Sequence, residues 1–154
     1  MGEVSPLKGG GFAVQERLAF EVFVEIDPGQ ITGVTGEGKS VCVIPFAGSA
    51  AGALFNGVVS PGGADVQTKD ATGALRVSAR YALAGTDYTG RACHIYIDNE
   101  GRFEDGVLPS PFHTTPSLVT DSPALAGRFR RFRYRGEGHA GKDGLVIRFF
   151  EAEE

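Results

Sequence analysis

Apolar and polar residues alternate with a period of two along most of this chain. In Leu18–Ile26, Phe20, Val22, Val24 and Ile26 fall on one face, and Glu21 and Glu25 on the other with Phe23 between them. Successive side chains of a strand point to opposite faces, so this run predicts a half-buried strand. Similar runs span residues 39–47, 53–59, 64–69, 74–83, 91–97, 112–119, 128–135 and 145–152. Turn sequences separate them: Asp27-Pro-Gly-Gln30, Ser60-Pro-Gly-Gly63, Asp70-Ala-Thr-Gly73, the Gly85–Gly90 loop and Asp98-Asn-Glu-Gly101. No segment keeps a helical period over ten residues. Asp121–Gly127 has a capping residue, an early Pro and a closing Gly, which leaves room for a single helical turn. About nine short strands with turns between them predict an all-β antiparallel barrel or sandwich.

Composition agrees with that class. A chain of 154 residues fits one domain large enough to bury a core. Its 23 glycines are about twice the number average usage of roughly 7% would give, as a many-turned β protein requires. Met1–Gly11 is Gly-containing and is expected to be a flexible segment, with residues 12–154 forming the domain. It lacks the basic and apolar regions of a signal peptide, and no run reaches the roughly 18 apolar residues of a membrane span. Cys42 and Cys93 sit singly in apolar runs, which predicts buried thiols rather than a disulfide. A cytoplasmic location without membrane association follows as an expectation. The net charge of −4 argues against a general nucleic-acid binder.

One pattern misleads. Gly33-Val-Thr-Gly-Glu-Gly-Lys-Ser40 matches the phosphate-loop pattern letter for letter. A phosphate loop must open a helix, whose N-terminal N–H groups hold the phosphates. Here Val41-Cys-Val-Ile-Pro-Phe46 follows, a β-branched run with a Pro, so a Gly-rich hairpin is expected and no nucleotide site.

Four segments carry a family resemblance: Val43-Ile-Pro-Phe-Ala-Gly48, Phe55-Asn-Gly57, Pro61-Gly-Gly-Ala-Asp65 with Gln67, and Ala79-Arg-Tyr-Ala-Leu83. With Thr115-Pro116 leading to Thr120, they make the chain resemble the domain of unknown function 3237 family over nearly its whole length after Gly11. The resemblance implies a small calycin-like β-barrel and no agreed reaction; the alternation and turn spacing predict an antiparallel barrel of about eight to ten strands. Ser78 stands where relatives commonly carry a carboxylate, Val66 where an aromatic residue is common, and the chain has no Trp.

Six residues are candidates for ligand contact. Asp65 follows two glycines at the start of a strand; it is either a turn residue or a carboxylate at a barrel rim. Arg80 lies on the face opposite Val77, Ala79, Tyr81 and Leu83, and either meets solvent or is held by Asp65 and offered to an anion. Tyr81 shares the apolar face. His94 and Tyr96 alternate with Cys93, Ile95 and Ile97, and their polar face points either out or into a ligand cavity. Arg128 heads a run of five arginines in eight residues, Arg128–Arg135, read as a strand whose first arginines reach either solvent or a pocket mouth. Three scattered His give no metal signature, and no cofactor motif remains.

These residues predict a small-molecule-binding barrel whose ligand is aromatic or carboxylate-bearing. The alternatives are an acid/base enzyme in the same cavity (isomerase, lyase or hydrolase), with Asp65 as proton acceptor and Tyr81 or His94 as donor, and an assembly subunit without a ligand. Phe23 on an acidic face and the Arg–aromatic run further predict a homodimer.

Overall fold

The computed structural model describes residues 2–6, 13–142 and 144–153. Its elements run β1 (Gly2–Pro6), β2 (Ala13–Ile26), β3 (Thr32–Gly36), β4 (Lys39–Ala51), β5 (Phe55–Val59), β6 (Ala64–Lys69), β7 (Leu75–Asp87), β8 (Ala92–Phe103), β9 (Phe112–Thr120), α1 (Pro123–Arg131), β10 (Phe132–Ala140) and β11 (Gly144–Glu153). Around the wall the order is β2, β11, β10, β9, β8 and β7, then a column shared by β5 and β6, then β4, which pairs back onto β2. This closes an antiparallel eight-stranded barrel, with β1 and β3 as extra strands on β2 and β4. The all-β barrel expected from the alternation is the observed fold.

The shared column is built by two short strands end to end. β5 takes Val59 to Leu83 and Phe55 to Asp87 on β7, whereas β6 takes Ala64 to Arg80 and Lys69 to Leu75. The Ser60–Gly63 turn between them lies in the wall itself. It stays bonded there, because Ser60 N donates to Ala82 O at 2.9 Å and Phe46 N to Gly63 O at 3.1 Å.

One end of the barrel is closed. The inward side chains of β11 read from the open end as Leu145, Ile147, Phe149 and Glu151. Phe149 packs on Phe20 of β2 with ring centroids 5.1 Å apart, and Phe20 on Phe55 of β5 at 6.3 Å; all three rings are fully buried. Below them α1 spans the closed end and buries Leu125. Ser122 caps this helix: its Oγ accepts from Leu125 N at 3.0 Å and donates to Asp87 Oδ2 at 2.6 Å. Those bonds, with others from Thr89 and Arg91, hold the Asp87 carboxyl down at about 2.

Two local expectations are corrected. α1 continues past Gly127 to Arg131, so Arg128, Arg130 and Arg131 are helical and the strand begins at Phe132. Arginine is a good helix former, and cations suit the last turn of a helix, which offsets the single Gly. β8 does not turn at Asp98–Gly101 but runs on to Phe103, pairing with β7 throughout. Gly2–Pro6 is paired with Pro6 opposite Ala13 and Gly2 opposite Arg17, whereas Met1 and residues 7–11 of the segment expected to be flexible lie outside the described residues.

The phosphate-loop look-alike is a hairpin. Gly36 pairs with Lys39, and Glu37 (φ 51°) and Gly38 (φ 79°) make the left-handed two-residue turn that matches strand twist. Cys42 and Cys93 are free thiols. Among the described residues no helix is long and apolar enough to cross a membrane.

Candidate functional site

The open half of the barrel holds a cavity in which the centre of a water molecule can range over about 40 Å³. Its walls come from the inward faces of seven strands and from Leu108, which the β8–β9 connection carries over the mouth. Val24, Ile26, Ile44, Leu145 and Ile147 make one side apolar. Asp65 and Gln67 from β6, Tyr81 from β7, Asn99 from β8 and Thr114 from β9 make the other side polar.

Register explains how these groups meet. Asp65 pairs with Ala79, and Ala79 pairs with Asn99, so the three stand in a row across the sheet. Side chains directly opposite share a face. The small methyl of Ala79 therefore forms a low floor between two polar neighbours. Tyr81 lies two residues along β7 on the same face, and its ring packs edge-on against Phe46 at 5.0 Å. Thr114 pairs with Gly136, whose missing side chain makes room: a Cβ there would collide with Thr114 Oγ1 and lie 3.3 Å from Asn99 Oδ1.

Four buried oxygens on this polar side have no hydrogen-bond partner among the described residues: Asp65 Oδ1, Tyr81 Oη, Asn99 Oδ1 and Thr114 Oγ1. Tyr81 and Asn99 are 4% exposed and Thr114 6%. Native interiors leave few such groups, and each costs on the order of 1–3 kcal/mol. Four around one cavity of about 40 Å³ make a polar lining that ordered water or the polar head of a ligand can satisfy. A fifth, Asp98 Oδ1, lies on the outer face beside Arg80.

Burial pushes the Asp65 carboxyl above the usual carboxylate range, against the hydrogen bond from Gln67 Nε2 (2.9 Å to Oδ2) and the weaker pull of the nearby Ser78 backbone N–H. Burial likewise pushes the Tyr81 phenol far up. A carboxyl whose pKa is raised on folding has its proton held more tightly by the folded state. Stability therefore falls as pH rises from the unfolded pKa through the folded one. Asp65→Asn removes that loss. The variant is expected to unfold at higher urea than the parent at pH 7, with the gap closing near pH 4. A variant less stable by the same amount at both pH values would show that Asp65 is a structural partner.

The remaining candidates lie elsewhere. Arg80 pairs with Ala64 and Asp98 in register, not with Asp65, and the expected Asp65–Arg80 ion pair is absent. Arg80 is 61% exposed on the outer face, 3.6 Å from Asp98 and 4.0 Å from Glu100. Neighbouring positions on a strand point oppositely, so Ala79 and Tyr81 inside force Arg80 outside. His94 and Tyr96 also point outward, and His94 Nδ1 meets Asp121 Oδ2 at 2.8 Å. Arg128 sits at the closed end, bonded to Glu151. Asn99, Thr114 and the floor residue Ala79 were not singled out as site residues in the sequence. Asn99 continues the inward parity of Cys93, Ile95 and Ile97, a signal hidden by reading Asp98–Gly101 as a turn.

Among the described residues no cluster of His, Cys, Asp and Glu has the form of a metal centre. No curated protein matches the chain. Solved structures share its fold. A protein with unknown function from Clostridium acetobutylicum superposes with a TM-score of 0.73 at 23% identity, covering 94% of this chain and 100% of that one. A beta-barrel like protein from Acinetobacter baumannii gives 0.69 at 19% identity, covering 95% and 100%. An enzyme from Penicillium herquei gives 0.67 at 15% identity, covering 96% and 100%. The family model described as "Protein of unknown function (DUF3237)" matches residues 15–152, and the chain belongs to that family.

Proposed function

We propose that this member of the DUF3237 family is a small-molecule-binding barrel. Its ligand has a compact apolar body and a polar head seated between Asp65 and Asn99. The observation that carries the reading is the convergence of four unpartnered buried oxygens on one largely apolar cavity. Ligand sites commonly combine apolar walls with a few convergent polar groups. The same lining favours a ligand site over a purely architectural role. Aromatic ligands suit walls that include Phe46 and Phe112. Carboxylate-bearing ligands do not, because the cavity lining offers Asp65 and no cation.

The test is a thermal-shift screen of small aromatic and aliphatic compounds on the parent and on Ala79→Leu. A ligand at about 100 times its dissociation constant adds roughly 2.7 kcal/mol, a readily measured rise in melting temperature. Ala79→Leu fills the floor between Asp65 and Asn99, at a cost of about 1–3 kcal/mol if the barrel must adjust. Hits on the parent are expected to vanish on the variant. Hits that survive unchanged would place binding outside the cavity.

A second reading is acid/base catalysis in the same cavity. Its support is the raised Asp65 carboxyl, able to exchange a proton nearer neutrality than an exposed one. The Penicillium herquei neighbour is called an enzyme, which adds only a likeness of fold. In this reading Asp65 moves the proton and Tyr81 hydrogen-bonds the reacting group. Arg80 and His94 take no part, because they face away from the cavity. Turnover of a screen hit, lost in Asp65→Asn while binding persists, would select it.

A further inference from the structure

We propose that the cavity selects a small organic cation, an alkyl or arylalkyl amine bound as its ammonium. This rests on the reading of the cavity as a ligand site and names the class of its ligand. All four unpartnered atoms are oxygens: Asp65 Oδ1 of the ionised carboxylate and Asn99 Oδ1 can only accept, and the Tyr81 and Thr114 hydroxyls can accept as well as donate. One belongs to a carboxylate, and no Lys, Arg or His lines the cavity to neutralise it. Asp65 and Tyr81 are its titratable groups.

The possible ligand heads differ in what they leave unmet. A carboxylate would face Asp65 as a like charge, with no cation to offset it. A single hydroxyl donates one bond and leaves the carboxylate's charge without a partner. A primary ammonium carries three donors and one positive charge. It meets Asp65 Oδ1, and its other N–H groups can reach toward Asn99 and Thr114 or Tyr81 on the same polar side. Phe46 and Phe112 add aromatic surface to the lining. The cavity of about 40 Å³ takes the ammonium head, and the hydrocarbon body extends along Ile26 and Leu145 into the mouth.

The carboxyl supports the same assignment. Burial without a positive neighbour raises its pKa, and an adjacent cation is what would lower it again. Binding of the ammonium should therefore drive a proton off Asp65 wherever the empty site holds it protonated. That gives the proposal a signature which shape-matching alone would not produce.

Calorimetric titration of the full chain with benzylamine, benzyl alcohol and benzoate tests it. These share one ring and differ in head group. Benzylamine is expected to bind at least about tenfold tighter than the alcohol, an ordinary charge-assisted gain, with benzoate weakest. Asp65→Asn should weaken benzylamine about 100-fold, as loss of one partner of a buried pair does, and leave the alcohol nearly unchanged. Near the pH at which Asp65 titrates, the benzylamine heat should vary with the ionisation enthalpy of the buffer. The cation assignment is overturned if the alcohol or benzoate matches the amine, if benzylamine does not bind, or if Asp65→Asn leaves the amine untouched. The ligand site itself would still stand if compounds from the wider screen bind the parent and fail on Ala79→Leu. If they do not, both readings fall.

Discussion

Replacing Glu151 with Ala is expected to remove at most about 3–5 kcal/mol of stability, because the stranded Arg17 and Arg128 side chains are 42% and 24% exposed and can meet water. Glu151 is buried at the closed end, with its side chain 2% exposed. It accepts from Arg17 Nη2 and Tyr134 Oη, both at 2.6 Å, and is bonded twice by Arg128. Removing the one acid leaves two guanidiniums beside each other under α1. Burial alone would raise the Glu151 carboxyl. The Arg128 and Tyr134 hydrogen bonds, and the charges of Arg128 and Arg17, outweigh it and hold the carboxyl below the usual range. A depressed carboxyl stabilises the fold above its unfolded pKa, and the stability is lost as pH falls through the folded pKa. The gap between parent and Glu151→Ala should thus narrow in acid, below about pH 4. Urea unfolding at pH 7 and pH 3 measures both effects. Replacing Arg17, Arg128 and Glu151 together by Met, Met and Leu should recover most of the loss. A cost under about 1 kcal/mol for Glu151→Ala would mean the network behaves as exposed ion pairs do.

Phe149→Ala is expected to cost a similar 3–5 kcal/mol, with a different consequence. Phe149 is fully buried between the cavity residue Ile147 and Glu151, and its ring lies next to Gly136 and Phe20. Truncation leaves a void directly beneath the candidate site. Apolar voids of this kind stay dry and accept apolar guests. The variant should therefore bind longer hydrocarbon bodies than the parent and regain part of its lost stability from them. Thermal shifts with a ligand series of increasing chain length would show this. A length preference unchanged from the parent would mean that the core collapses into the gap.

Part of this arrangement is legible in the sequence. The inward parity of Phe20, Val22, Val24 and Ile26 follows from strand geometry alone, and so does that of Val77, Ala79, Tyr81 and Leu83. This placed Tyr81 on the apolar face correctly. The Asp65–Arg80 pairing failed for a geometric reason. The β6–β7 hairpin sets Lys69 opposite Leu75, so Asp65 meets Ala79, and its neighbour Arg80 belongs to the other face. A four-residue loop at Asp70–Gly73 would set Asp65 opposite Ser78, on the face of Arg80; the observed loop spans the five residues 70–74, which shifts the register by one and reverses that assignment. The extension of α1 over Arg128–Arg131 was hidden because alternating Arg and Phe also reads as a strand. Packing of the helix across the barrel end decides between the two readings. The site as a whole was legible only in part. Asp65 and Asn99 lie 34 positions apart, and the chain brings them to one cavity through two successive hairpin registers.

The closure of the wall has a consequence for the order in which the chain can assemble. Proceeding from β4, each wall strand pairs with one made shortly before it, except where β11 meets β2. As the chain leaves the ribosome, one edge of β2 must therefore wait for residues 144–153. A bare edge is a template for pairing with other chains, and charges along it discourage that. Glu16, Glu21 and Glu25 interrupt the apolar sequence of this strand. When the last strands arrive, Arg148 bonds Glu21 at 2.8 Å and Arg135 bonds Glu16 at 2.6 Å, across sequence separations of 127 and 119 residues. The charges that guard the waiting edge are the ones that lock the seam once its late partner is in place.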